Sequence, residues 1–77
     1  MKRLRPRIFE GLLFKEADKI ESTIDLFAVE RLRRLIWCYN KYYENTLGHN
    51  LYLRHVLSIC CLKVRHSFPG IWLPKIK

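Results

Sequence analysis

From Thr23 to Leu47 this chain runs without a glycine or a proline, and that stretch constrains the fold more than any other feature. Glycine and proline are the residues that punctuate a chain, so their absence predicts one long helix, closed by Gly48 in a left-handed cap position. On a wheel of about 100° per residue, Ala28, Val29, Leu32, Leu35, Ile36, Tyr39, Tyr42, Tyr43 and Leu47 share one arc. The 3-4 spacing through Val29, Leu32, Ile36, Tyr39 and Tyr43 is a coiled-coil-like seam that another element must cover.

Two further segments supply the cover. Asn50 can cap a third helix ending near His66, where Pro69-Gly70 stops it, with Tyr52, Leu53, Val56, Leu57, Cys60 and Val64 on one face. Upstream, Pro6 and Gly11 delay regular structure, so a short helix is expected from Leu12 to about Glu21. Ser22 then reads as the N-cap of the long helix, with Asp25 as a weak acidic member of a capping box. The expectation is an all-α fold, a three-helix unit built on an antiparallel αα-hairpin linked at Gly48-His49-Asn50. It divides into a basic flexible arm (1–11), a helical domain (12–66) and an extended tail (67–77).

A chain of 77 residues is one domain at most, and one this short buries only ~60% of the surface its unfolded form exposes. Yet 49% of it is hydrophobic and 13% aromatic, which is more than so small a core can hold. The surplus implies an interface, although tyrosines and long cations can also lay apolar stems on a surface with their tips wet. Trp72, in the apolar triplet Ile71-Trp72-Leu73 of the tail, is expected to anchor the strap, on this chain or on a partner.

The formal charge of +8 is unevenly placed: +4 over residues 1–7, −4 over 8–30, +3 over 31–45 and +5 over 46–77. An acidic first third between basic regions predicts internal pairing as well as an anionic partner. Lys2 to Arg7 reads first as a disordered arm, with a nuclear signal or part of an organelle presequence as alternatives. An anionic membrane surface is a weaker candidate, because Glu16, Asp18 and Glu21 on the first helix repel it. No apolar run is long enough for a membrane span.

Trp37 falls outside the apolar arc, among Glu30, Arg33, Arg34, Lys41 and Glu44, with Arg33 and Lys41 one turn to either side. An indole flanked by cations suits base stacking or an interface hot spot; otherwise Trp37 packs under the first helix or the tail. Arg31, Arg33, Arg34, Lys41, Arg54 and Arg65 are the candidate nucleic-acid contacts, and Trp37, Tyr39, Tyr43, Phe68 and Trp72 the candidate protein contacts. A helix-turn-helix reading is weakened by the length of the supporting helix.

Cys38, Cys60 and Cys61 are odd in number and two are adjacent, a poor disulfide framework that suits a reducing, intracellular compartment, nucleus or organelle included. Cys38, nearer Arg34 and Lys41, reads as the more reactive thiol. His49, His55 and His66 do not combine with these cysteines at metal-ligand spacing, so no metal or other cofactor is expected. Without a Gly-rich phosphate loop, a nucleophile elbow or H-E-x-x-H, the chain is not expected to be an enzyme. The reading is a non-catalytic helical interaction module, a small basic subunit of a larger assembly that docks on a larger protein or on itself. The alternative is a sequence-tolerant DNA- or RNA-binding protein.

Overall fold

The computed structural model describes residues 4–47 and 51–76. Its elements are α1 (Pro6–Ser22), α2 (Leu26–Cys38), a π-helical turn (Tyr39–Tyr43), a last α-turn α3 (Glu44–Leu47), and α4 (Leu51–Ser67). The fold is all-α, and no strand occurs among the described residues. The expected link at Gly48-His49-Asn50, with the caps assigned to Gly48 and Asn50, lies outside them.

The first helix starts at Pro6, not at Leu12, so residues 6–11 of the expected flexible arm are helical. Pro6 opens the helix instead of blocking it. Its fixed φ suits the first turn, where its missing N–H has no intrahelical partner to lose. Gly11 does not break the helix, because Phe9 and Leu13 on either side of it are buried, and packing outweighs a penalty of about 1 kcal/mol. Ser22 also departs from its expected role: it is the last residue of α1, and its Oγ donates to the Lys19 carbonyl at 3.1 Å. The N-cap of α2 is Asp25, whose Oδ1 accepts from the Ala28 N–H at 2.8 Å, satisfying one of the orphan donors of the first turn.

The seam does what its spacing requires. Ala28, Val29, Leu32, Ile36, Tyr39 and Tyr43 are buried, against Phe9, Leu13, Ala17 and Ile20 of α1 and Leu53, Leu57, Cys60, Cys61 and Val64 of α4. Between α2 and α3 the backbone widens, and the Glu44 N–H donates to the Tyr39 carbonyl five residues back. Nothing in the sequence periodicity announces this π-turn.

After α4 the chain reverses. The Ile71 N–H donates to the Phe68 carbonyl at 3.1 Å, with Pro69 and then Gly70 at the central positions and Gly70 at φ 87°. That is a type II turn, which requires positive φ at its third residue. It sends residues 71–76 back over the body as an extended strap in cis. Alternation along extended chain puts Leu73 inward at 5% exposure and Trp72 outward at 69%. On this chain's own body the strap is therefore anchored by Leu73, which leaves of the two expected anchorages of Trp72 only the one on a partner.

Candidate functional site

Two polar side chains of the long helical segment hold the strap. Arg33 Nε donates to the Trp72 carbonyl at 3.1 Å, and Asn40 Nδ2 donates to the Lys75 carbonyl at 2.8 Å. Extended backbone has no ladder partner here, so these side chains serve as one. Held this way, the strap forms one wall of a groove of about 460 Å³ lined by Arg33, Arg34, Trp37, Cys38, Trp72 and Pro74.

Trp37 is 48% exposed and stands outside the buried core. Its ring meets the edge of Tyr42 at 5.8 Å, and the Lys41 ammonium sits 4.6 Å from its centroid and 5.4 Å from that of Tyr42. The cation and the two rings support one another.

The charges sort themselves by partner. Glu16 is paired with Lys19 at 3.2 Å and with Arg31 at 2.9 Å, and Glu21 is paired with Lys63. The acidic stretch of α1 thus neutralises cations of α2 and α4. Arg33 is paired with Glu30 at 3.2 Å. Arg34 and Lys41 have no carboxylate partner among the described residues.

The candidate contacts therefore divide. Trp37, Trp72, Arg33 and Arg34 come together at the groove, with Lys41 stacked on its Trp37 wall. Tyr39 and Tyr43 are inside the core, and Phe68 is half-buried against it. Arg31 faces Glu16, Arg65 borders a separate hollow with Pro74 and Lys75, and Arg54 lies on α4, near enough to Tyr39 to act on its phenol electrostatically. Asn40 and Pro74 do not stand out in the sequence, and Cys38 stands out there as a thiol and not as part of a groove. Asn40 stands two turns after Arg33, a spacing that marks a common face once the path of the tail is known.

Other apolar side chains also face solvent: Leu4 ahead of α1, Ile8 and Leu12 along it, Leu26 and Phe27 at the start of α2, Leu51 and Tyr52 at the start of α4, and Leu62. No group of three or more His, Cys, Asp or Glu side chains placed to hold a metal ion occurs among the described residues. No described helix is long and apolar enough to cross a membrane. All three thiols are free. Burial raises the Cys38 pKa, with Arg34 pulling the other way, so its site does not favour the reactive thiolate expected from its neighbours. No family model matches the chain, and neither a curated protein nor a solved structure matches it either.

Proposed function

We propose that this protein is a non-catalytic helical interaction module, a small basic subunit that docks on a larger protein through the face bearing Trp37 and Trp72. One observation carries the reading: two indoles stand exposed across a groove whose far wall is fixed by hydrogen bonds from Arg33 and Asn40. Large aromatic surface is seldom ordered and left in water without use, and exposed Trp flanked by Arg is the usual composition of an interface hot spot. The further apolar side chains at the starts of α2 and α4 support burial against a partner larger than a single ligand.

The test is purification of the tagged chain at moderate salt, with and without nuclease, in parallel with Trp37→Ala and Trp72→Ala. A stoichiometric protein that survives nuclease and is lost from both variants supports the reading. A complex unchanged by both substitutions sinks it.

Nucleic-acid binding is the second reading, favoured by Arg34 and Lys41 beside Trp37. It requires affinity that falls steeply with salt and weakens when Arg33 and Arg34 are changed to Ala.

A further inference from the structure

We infer that the groove between Trp37 and Trp72 takes an acidic segment carrying a large apolar side chain: that side chain enters between the indoles, and flanking carboxylates meet Arg34 and Lys41. This rests on the reading of the chain as an interaction module and adds the chemistry of its partner.

Charge complementarity selects this occupant. The Arg33 guanidinium is already held by Glu30 and by the Trp72 carbonyl. Arg34 has no carboxylate within reach among the described residues, and Lys41 rests on aromatic rings. The carboxylates of Glu16 and Glu21 are taken up by Lys19, Arg31 and Lys63. The groove therefore has an apolar floor and uncompensated positive charge at its rim. A neutral apolar segment would cover the floor and leave the cations facing it, stripped of water and unpaired. A small hydrophilic anion would meet the rim and leave the indoles wet. An acidic segment with an apolar anchor answers both, and about 460 Å³ lies within the ~300–1,000 Å³ of pockets that bury most of a drug-sized ligand, which is room enough for one large side chain.

Single-stranded nucleic acid fits less well. It needs open ring faces and a track of cations along the backbone. Lys41 lies over the Trp37 ring, and Arg31 and Lys63 are held by the acids of α1. A second copy of the chain would bring its own +8.

The experiment titrates the full chain with three labelled probes. One is a short peptide with Phe and Leu at helical spacing among Asp and Glu, the second is the same peptide with Asn and Gln for its acids, and the third is oligothymidylate. Trp37 and Trp72 are the only tryptophans, so their emission reports the groove directly, and Trp37→Phe and Trp72→Phe separate the two walls. The acidic peptide is expected to shift both emissions to the blue and to bind at least about tenfold more tightly than the neutral one, a difference of about 1.4 kcal/mol. Arg34→Gln combined with Lys41→Gln, both at exposed positions whose retained helicity circular dichroism checks, should weaken the acidic peptide and erase that preference, so that the two peptides bind alike.

Equal affinity for the two peptides, or a preference that survives the double substitution, overturns the inference. Tighter binding of oligothymidylate with both indoles perturbed overturns it in favour of nucleic acid, and binding only between copies of the chain overturns it in favour of self-association. If no probe binds while Trp72→Ala still breaks the purified complex, the acidic-segment inference falls and the interaction module stands. If the complex also ignores Trp37→Ala and Trp72→Ala, both fall.

Discussion

Tyr43 lies flat on Phe9, with ring centroids 3.9 Å apart and planes 8° from parallel. The contact joins the π-turn to the first turn of α1. The Tyr43 hydroxyl extends the join by donating to the Leu4 carbonyl at 2.6 Å, one residue before the N-cap Arg5. The start of α1 is thus fixed from outside itself, which is why a helix opening with no side-chain cap holds its first turn.

Tyr43→Phe keeps the stacked ring and removes only the hydroxyl. The Leu4 carbonyl belongs to an exposed residue and can turn to water, so the loss should be near the net value of one hydrogen bond, about 1 kcal/mol. Tyr43→Ala removes the ring from the core as well and should cost ~3–5 kcal/mol. Urea denaturation of the two variants checks the difference, and hydrogen exchange should show the amides of the first turn of α1 opening earlier in both.

Tyr39 is the opposite case. Its side chain is fully buried and its hydroxyl has no hydrogen-bond partner among the described residues. A buried polar group left unpaired is a penalty of ~1–3 kcal/mol, so Tyr39→Phe should stabilise the fold by up to about 1 kcal/mol. The same burial holds the phenol above its ordinary pKa. A loss of stability on this substitution in thermal melts would mean the hydroxyl is satisfied after all.

These two tyrosines mark where sequence reading succeeds and where it stops. Val29, Leu32, Ile36, Tyr39 and Tyr43 are legible as core because a 3-4 repeat on a helix can mean little else. Trp37 is legible as an outlier from that repeat, and it does stand on the surface. The start of α1 is not legible, because Pro6 and Gly11 look like breaks until one knows that Phe9 and Leu13 are buried. Ser22 and Asp25 are both good caps three residues apart, and local chemistry does not choose between them. The groove is hidden for a different reason. It depends on the direction of the turn at Gly70 and on hydrogen bonds between residues 39 and 35 positions apart in the chain, neither of which leaves a periodic trace.

Leu73 and Trp72 should separate stability from docking. Leu73→Ala empties a buried position and should cost ~2–5 kcal/mol, with the strap loosened and the Trp72 carbonyl released from Arg33. Trp72→Ala, at an exposed position, should stay within about 0.5 kcal/mol of wild type. Equilibrium denaturation of the pair checks this, and equal destabilisation by both would show that the indole packs inward in solution.

Gly70 controls the direction of the strap. At φ 87° a side chain is strained whatever space surrounds it, and no atom lies within 4 Å of where a Cβ would sit. Gly70→Ala therefore tests backbone conformation without a clash, and should cost about 1–2 kcal/mol. If the strap detaches to relieve the strain, tryptophan emission should move to the red.

Burial is the main cause that pushes the Cys60 thiol from 9.0 up to about 11, with the neighbouring Cys61 adding to it, and Cys61 is raised by the same burial. In the unfolded chain the thiol ionises near its ordinary value, so between about pH 9 and 11 the folded state holds a proton that the unfolded state has released. Stability then falls as pH rises through that window and is fully present below it. The informative comparison is with Cys60→Ala. That variant should be less stable at neutral pH, because a buried side chain is truncated, yet its stability should decline less between pH 9 and 11. Parallel declines in the two proteins would show that Cys60 ionises as readily in the folded chain as in the unfolded one.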